Sequence, residues 1–437
     1  MITSPVFAGK RYAVLGLARS GAAAVRALVA SGAEVIAWDS DEAKRVALPA
    51  GVAVADPMVI DLAGFDGVVV SPGVPLNTHP IAAKARAADV PVIGDIELFA
   101  LARPSLPPHK VVGITGTNGK STTTALIHHI LTTAGVPATM GGNIGLPILG
   151  QEPLPEGGVY VLELSSFQID LTHSLDCDVA VLINITPDHL DRYDGFAGYA
   201  ASKARLFAMQ YTRRLAVLGD GDEETLRIGR ELAQQRSQCV YIPDPASFSG
   251  QENWPALQGP HNLQNAALAS TTTALLGIGR EAIEHALRTY PGLPHRMERI
   301  AEIDGVLYVN DSKATNATST APALGAYPKI HWILGGRRKT DDLDACAPFF
   351  GHVVAAYAIG EATQLYTHIL RDAGIAVLPS GTLANAVKQA AAAARPGETV
   401  LLSPACASYD QFSDYEARGD AFRAAVMALS THMGRMA

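Results

Sequence analysis

The stretch VVGITGTNGKSTTTALIHHIL, residues 111–131, decides the fold of the chain around it. An apolar run leads into a glycine-rich turn, and a segment with helical spacing follows the turn. Gly116 and Gly119 allow the backbone to curl so that its amides face phosphate oxygens, and the helix N-terminus adds a positive end. Lys120 then reaches the terminal phosphates, and the Ser121 hydroxyl is a ligand for Mg²⁺. The stretch therefore predicts a strand, a phosphate-binding loop for ATP and a helix.

The sequence of this loop departs from the eight-residue Walker motif. Ile114 lies five residues before Gly119, where that motif has a glycine. The alternative is a glycine-rich turn that caps a helix and binds nothing. The GKS string lies between an apolar strand and a helix, and this context favours the phosphate loop.

The rest of the chain is globular and acidic. Its 437 residues are enough for roughly two to four domains, and a hydrophobic fraction of 48% excludes a disordered chain. Lys and Arg number 34 against 42 Asp and Glu, which gives a net charge of −8. No overall basic field exists to hold nucleic acid or an anionic membrane, so we expect neither partner and a local phosphate site.

The cysteines and the N-terminus predict the compartment. Cys177, Cys239, Cys346 and Cys406 lie far apart, without the spacing of a metal site or a disulfide framework, which favours a reducing environment. The N-terminus lacks the apolar core of a signal peptide. Residues 130–151 carry no formal charge but contain many glycines and prolines, so we interpret them as a loop. We expect a cytoplasmic protein.

Apolar runs alternate with helical patterns along the whole chain. Residues 11–39 predict a strand, a helix ended by Gly32 and a second strand. The proline-rich stretch 103–110 and the turn-rich stretch 291–300 indicate boundaries. We therefore predict an α/β protein with a parallel or mixed sheet in each of three domains. These are a Rossmann-like domain at 1–103, a central P-loop ATPase-like domain at 104–295 and a Rossmann-like domain at 296–437.

A second glycine-rich turn, GLARSG at 16–21, resembles a dinucleotide fingerprint. Ala18 occupies the middle glycine position, where the backbone must approach a pyrophosphate, and this disfavours NAD. With Asp39 at the end of the next strand, the turn could hold the diphosphate of another nucleotide. An ordinary strand-to-helix turn is the alternative.

Three further residues, Glu163, His189 and Lys203, are candidates for metal binding or catalysis. Glu163 ends one strand and His189 follows another, so both lie at the edge where the phosphate loop opens, and a carboxylate with an imidazole suits Mg²⁺ beside a triphosphate. The alternative is that Glu163 caps the next helix and His189 is a turn residue. Lys203 lies in an apolar stripe, and its spacing favours a packed stem with an ammonium that reaches water.

Four strings together resemble the Mur ligases, which make bacterial cell-wall peptide and are related to folylpolyglutamate synthetases. They are GTNGKST at 116–122, ELSSFQ at 163–168, NITPDHLDRY at 184–193 and GPHNLQN at 259–265. Five more resemble the members that add D-glutamate to UDP-N-acetylmuramoyl-L-alanine: SPG at 71–73, GDIELF at 94–99, GGNIGLP at 141–147, NDSKATN at 310–316 and LLSPACASYDQF at 401–412.

The resemblance implies a reaction in which ATP phosphorylates the L-alanyl carboxylate and the amine of glutamate attacks the acyl phosphate. It implies two Mg²⁺ ions and a Lys203 carbamylated by CO₂. The catalytic residues would be Lys120, His189 and Lys203, and the metal ligands Ser121, Glu163, His189 and Lys203. We expect a monomer.

The resemblance also implies binding residues. Those for ATP would be Gly116, Thr117, Asn118, Gly119, Lys120, Ser121, Thr122, Asn262, Asn265, Arg296 and Asp311. Those for the UDP-bearing acceptor would be Leu17, Ala18, Arg19, Asp39, Ser40, Ser71, Asn143 and Gln168. Those for glutamate would be Lys313, Thr315, Lys339, Ser408 and Tyr415.

Two departures from the family pattern affect the glutamate contacts. Tyr415 stands where a phenylalanine is often found, and Arg337-Arg338 precede Lys339 where smaller or acidic residues are common. Alternatives are a ligase for another amino acid, including L-glutamate, a folylpolyglutamate synthetase, and a nonenzymatic ATP-regulated module. The nucleotide-like first turn argues against folate, and the set of Glu163, His189 and Lys203 argues against the module.

Overall fold

A computed structural model of the chain describes residues 1–235, 239–338 and 340–433, and it contains three β-sheets. The chain forms two compact units. Unit 1 holds Met1–Phe248 and Asn265–Leu287, and unit 2 holds Ser249–Gln264 and the residues from Arg288 onward. Each unit buries hydrophobic clusters of its own.

The first sheet of unit 1 has five parallel strands: β1 (Arg11–Leu15), β2 (Glu34–Trp38), β3 (Ala53–Val54), β4 (Gly67–Val70) and β5 (Val92–Ile93). Their order is β3-β2-β1-β4-β5. Four helices accompany them: α1 (Arg19–Ala30), α2 (Glu42–Val46), α3 (Ile81–Ala87) and α4 (Asp95–Ala102). The chain turns after α1 at Gly32, whose φ of +82° favours glycine, so the predicted strand-helix-strand unit is present.

The second sheet of unit 1 has six parallel strands: β6 (His109–Thr115), β7 (Ala138–Gly142), β8 (Gly158–Glu163), β9 (Val179–Leu182), β10 (Leu215–Leu218) and β11 (Cys239–Tyr241). Their order is β11-β10-β9-β6-β8-β7. Every residue of β8 and β9 is buried, as expected of parallel strands covered on both faces. The helices of this part are α5 (Lys120–Thr133), α6 (Ser166–Asp170), α7 (Gly195–Ala208) and α8 (Glu223–Gln235). Two more helices, α9 (Pro260–Leu275) and α10 (Arg280–Thr289), belong to unit 1 from Asn265 to Leu287.

The sheet of unit 2 also has six strands: β12 (Glu298–Ile303), β13 (Val306–Asn310), β14 (Ile330–Gly335), β15 (Val353–Ile359), β16 (Val377–Gly381) and β17 (Thr399–Leu402). The order is β12-β13-β17-β14-β15-β16, and β12 runs antiparallel to β13 while the other pairs are parallel. Its helices are α11 (Ala317–Gly325), α12 (Thr363–Asp372), α13 (Leu383–Ala393) and α14 (Tyr415–Met433).

The predicted α/β class is confirmed, but two edge strands differ from the sequence analysis. Residues 130–151, interpreted as a loop, include the end of α5 and all of β7. The turn-rich stretch 291–300 includes the start of β12. Both strands pair with a single neighbour, so neither carries the continuous apolar run of a central strand. Among the described helices, none has the length and apolar character needed to cross a bilayer.

Candidate active site

The phosphate loop lies between β6 and α5, and two glycines shape it. Gly116 has φ +155°, and Gly119, the N-cap residue before α5, has φ +84°. A Cβ atom on Gly119 would lie 2.5 Å from Asn265 Oδ1. The Asn118 amide donates to Asn184 Oδ1 at 2.9 Å, so a polar residue after β9 helps to hold the loop.

Lys120 folds back over this loop. Its ammonium donates to the carbonyl oxygens of Gly116 and Thr117, both at 2.8 Å. The Ser121 side chain lies in the first turn of α5, and the residue is buried. A cation, a hydroxyl and a helix N-terminus therefore meet at one end of β6, which suits an anionic ligand.

Glu163 ends β8 beside the loop, because β6 and β8 are paired with Ile114 opposite Glu163. Its Oε1 accepts a hydrogen bond from Asn143 Nδ2 at 2.8 Å. Its Oε2 is buried and has no hydrogen-bond partner among the described residues. Glu163 does not cap α6, because Ser165 does so in a reciprocal pair with Gln168. A buried carboxylate oxygen without a donor is costly unless a cation faces it.

His189 lies in the exposed turn that follows β9. Its φ of +52° is left-handed, and its Nε2 lies 3.6 Å from Asp188 Oδ2. The imidazole packs on Phe167, with 5.0 Å between ring centres. Half of the side chain remains exposed.

Lys203 is 1% exposed, and its ammonium donates to the Gly116 carbonyl oxygen at 2.9 Å. The Tyr199 ring centre lies 4.6 Å from the same nitrogen. Burial, and then the charge of Lys120, hold the Lys203 pKa well below its usual range. The prediction of an ammonium that reaches water is therefore wrong. Helical spacing identified the stripe but not the loop, which covers its polar end.

The residues around the phosphate loop supply only some of the ligands that a Mg²⁺ ion needs. Among the described residues, no group of three or more His, Cys, Asp or Glu is arranged to hold a metal ion. Mg²⁺ is usually bound by one or two carboxylates together with phosphate oxygens and water. Glu163 with its unpaired buried oxygen and the Ser121 hydroxyl supply oxygen ligands of this kind.

A cleft of about 440 Å³ opens within unit 1, between the turn after β1 and the end of β7. Six of the eight residues predicted for the acceptor line it: Ala18, Arg19, Asp39, Ser71, Asn143 and Gln168. Leu17 and Ser40 do not. The Leu17 amide instead supports the cleft by donating to Asp39 Oδ2 at 2.7 Å.

Hydrogen bonds set the shape of this cleft. Burial alone would raise the Asp39 pKa, but donation from the amides of Leu17 and Asp41 and the nearby charge of Lys44 outweigh it, so the pKa is lowered. Ser71 Oγ donates to the Gly16 carbonyl oxygen at 2.8 Å, and Arg19 donates across the cleft to the Gly145 carbonyl oxygen at 2.6 Å.

In unit 2, predicted residues gather after the adjacent strands β13 and β17. Asp311 is buried and accepts a hydrogen bond from Ser403 Oγ at 2.8 Å, and burial raises its pKa to about 7. The Lys313 ammonium lies 3.7 Å from the Tyr415 ring centre, so a tyrosine can serve where phenylalanine is common. Ser408 is buried in the turn before α14.

The other residues predicted to bind ATP or glutamate lie in different parts of the chain. Asn262 and Asn265 lie one turn apart in α9, and Thr123 Oγ1 donates to Asn265 Oδ1 at 3.2 Å. Arg296 lies just before β12. Lys339 lies outside the described residues.

Sequence reasoning missed Arg418. This buried side chain donates to the Ser312 carbonyl oxygen at 2.8 Å and to the Cys406 carbonyl oxygen at 3.1 Å, so it ties two loops of unit 2 together. Burial lowers its pKa to about 10. A lone arginine among polar helix residues gave no signal of this burial.

Three family profiles match the chain. They describe a Mur ligase MurD-like N-terminal domain at residues 10–94, a Mur ligase middle domain at 114–243 and a Mur ligase glutamate ligase domain at 295–406.

Individual proteins agree with these profiles. A UDP-N-acetylmuramoylalanine–D-glutamate ligase of Novosphingobium aromaticivorans is 66% identical over 98% of this chain and 97% of its own length. One of Sphingopyxis alaskensis is 63% identical over 98% of this chain and 100% of its own. The crystal structure of UDP-N-acetylmuramate-alanine ligase MurC from Thermotoga maritima covers 96% of this chain and 99% of its own, with a TM-score of 0.58 at 16% identity, and shares the fold. With such identity over nearly its whole length, the chain belongs to the Mur ligase family and is an ATP-dependent, amide-forming ligase.

Proposed function

We propose that the chain joins D-glutamate to the alanyl carboxylate of UDP-N-acetylmuramoyl-L-alanine during synthesis of the peptidoglycan precursor. The observation that carries this proposal is the 66% identity, over 98% of the chain, to a ligase named for that reaction. The cleft in unit 1 supports it, because it offers a helix N-terminus and an arginine where a diphosphate would lie.

The reaction proceeds in two steps. A carboxylate is a poor electrophile, so its oxygen first attacks the γ-phosphorus of ATP, and ADP leaves. The neutral amine of glutamate then attacks the carbonyl carbon of the acyl phosphate. The tetrahedral intermediate loses inorganic phosphate, the amine loses a proton, and the amide forms.

The chain's own residues hold the charges that meet in the first step. Gly116, Thr117, Asn118, Gly119 and Thr122 line the triphosphate, and Lys120 leaves the loop carbonyls to bind its terminal phosphate. Asn262, Asn265, Arg296 and Asp311 bind the rest of the nucleotide.

Ser121, Glu163, His189 and a carbamylated Lys203 would hold two Mg²⁺ ions, which when bound would neutralise phosphate charge. Asn143 faces the acceptor and also donates to Glu163 Oε1, so one side chain serves both the acceptor and a metal ligand.

The remaining assignments follow the same proposal. Leu17 and Ser40 support the acceptor site from outside the cleft, and Lys313, Thr315, Lys339, Ser408 and Tyr415 bind glutamate. We place the domain boundaries at 103/104 and 295/296. We further propose that the enzyme acts as a cytoplasmic monomer without a nucleic-acid or membrane partner. The net charge of −8 supports the absence of both partners, because the chain has no overall basic field to attract polyanions.

The test is phosphate release from ATP with UDP-N-acetylmuramoyl-L-alanine and a panel of amino acids, with mass detection of the product. D-glutamate should give the amide, and omission of the acceptor should stop phosphate release. Equal turnover with L-glutamate or a diamino acid would refute the choice of D-glutamate. Extension of a folate monoglutamate instead would refute the acceptor.

A further inference from the structure

Arg192 lies in the turn that carries His189, and no role proposed above uses it. Its amide donates to the His189 carbonyl oxygen at 2.9 Å, which closes the turn. Its side chain is half-buried in unit 1, beside a small cavity of about 60 Å³ that Val74 and Phe167 also line.

The Arg192 side chain joins two parts of the site. Its guanidinium carbon lies 4.2 Å from the centre of the Phe167 ring, and Nη2 donates to the Val74 carbonyl oxygen at 3.2 Å. Val74 belongs to the loop, residues 71–74, that lines the acceptor cleft. One side chain therefore contacts the acceptor loop and an aromatic ring of α6.

That ring also supports His189. The Phe167 and His189 rings are tilted by 58° with their centres 5.0 Å apart. The nearest acid, Asp188, lies 3.6 Å from the imidazole, beyond hydrogen-bond distance. Ring packing, with Phe167 at 5.0 Å and Tyr199 at 6.4 Å between ring centres, rather than a hydrogen bond to that carboxylate, therefore orients the imidazole. The turn that carries His189 has a second contact with the part of unit 1 that contains the first sheet. Asn77 Nδ2, from the loop after β4, donates to the Asp191 carbonyl oxygen at 3.1 Å.

We infer that Arg192 is a positioning residue that couples a filled acceptor cleft to the orientation of the His189 imidazole through Phe167. A ligand seated on residues 71–74 fixes the Val74 carbonyl oxygen. The guanidinium then keeps its place on the ring, and the ring keeps the imidazole in place. The inference rests on the proposed function, because it takes the acceptor to bind in this cleft and His189 to serve the reaction.

The experiment compares the wild type with Arg192→Lys, which keeps the charge but loses the flat guanidinium. Amide hydrogen exchange is measured in residues 71–74 and 186–193, with and without UDP-N-acetylmuramoyl-L-alanine, in the absence of ATP and metal. In the wild type the acceptor should slow exchange in both segments. In the variant it should slow exchange in residues 71–74 alone. The variant's kcat should fall about tenfold or more, while its KM for the acceptor stays within about twofold.

Arg11→Lys is the matched control, because the Arg11 guanidinium lies 4.6 Å from the Phe65 ring centre in the same unit but outside the cleft. It should behave as the wild type. If Arg192→Lys fails to fold, Phe167→Leu removes the other half of the contact, and the same loss of coupling is expected.

Slowed exchange in both segments of Arg192→Lys would overturn the inference. So would a wild type that binds the acceptor without slower exchange in residues 186–193. A wild type that does not bind the acceptor in calorimetry would refute the proposed function itself, and this outcome is distinct from the other two.

Discussion

Lys203 is the residue whose chemistry depends most on its surroundings. Two ammonium groups, those of Lys120 and Lys203, donate to the one carbonyl oxygen of Gly116. An amine adds CO₂ only when it is neutral. Because burial and the Lys120 charge lower the Lys203 pKa, a larger share of this amine is neutral at a given pH.

Lys203→Ala should therefore lose about 10- to 100-fold in kcat, and acetate or propionate in the medium should restore part of it by supplying a carboxylate. Phosphate release measures both effects. Lys84→Ala is the control, because the Lys84 ammonium also donates to backbone carbonyl oxygens, those of Met58 and Ile60, but lies in α3 beside the first sheet. Near-normal turnover of Lys203→Ala would remove Lys203 from the mechanism.

Asp95, at the start of α4, gives a prediction about stability. Neither carboxylate oxygen has a hydrogen-bond partner among the described residues, and burial raises the pKa from 3.8 to about 6 despite the nearby amides of the helix. The folded state therefore keeps a proton that the unfolded state releases. Its contribution to stability is complete below pH 4 and is lost as the pH rises through 6.

Asp95→Asn removes this titration. Relative to the wild type, its free energy of unfolding should rise by about 2 kcal/mol between pH 4 and pH 7.5. Urea unfolding of unit 1 at the two pH values measures the difference, and the value at pH 4 serves as the reference. A difference that does not change with pH would show that Asp95 is already charged in the folded protein.

At the scale of elements, the edge strand β7 holds two parts of the site together. Gly142, its last residue, pairs with Glu163 of β8, and the Asn143 side chain that follows donates to Glu163. Gly142 has φ +91°, and a Cβ atom there would lie 2.2 Å from the Glu163 carbonyl oxygen. The position therefore needs glycine for both conformation and space.

Gly142→Ala should lower the free energy of unfolding by more than about 2 kcal/mol and reduce kcat, because the strand ends must separate. Gly135→Ala is the matched control: its φ is +77°, but nothing lies within 4 Å of the added Cβ. That change should cost only the strain of the left-handed backbone, about 1 to 2 kcal/mol, with kcat unchanged. Equal losses in both variants would mean that the contact with Glu163 has no effect.

At the scale of the whole molecule, each of the two units has hydrophobic clusters of its own. Two clusters lie in unit 1, and two others lie in unit 2. Units with separate cores are expected to unfold separately.

Calorimetry should therefore show more than one transition. UDP-N-acetylmuramoyl-L-alanine at about 100 times its Kd should stabilise the transition of unit 1 by about 2.7 kcal/mol and leave that of unit 2 unchanged. Hydrogen exchange in β8 and in β14 assigns the transitions. A single transition shifted as a whole would contradict this division of the chain.

The sequence by itself determined the α/β class, the phosphate loop and the central strands. Each of these depends on residues close together in the chain: an apolar run, two glycines and a lysine at Gly116–Lys120, or a strand such as β8 that is buried throughout. Local spacing suffices where the neighbours in space are also neighbours in the chain. The family resemblance added the substrates, which no spacing could supply.

Only the tertiary structure decided what depends on distant contacts. Lys203 meets Gly116 across 87 residues, and Arg192 meets Val74 across 118. Helical periodicity could place Lys203 on an apolar face, but it could not show that a loop covers the ammonium. The edge strands β7 and β12 were missed for a related reason: each is held by one neighbouring strand, so its own residues carry little of the apolar pattern that identifies a strand.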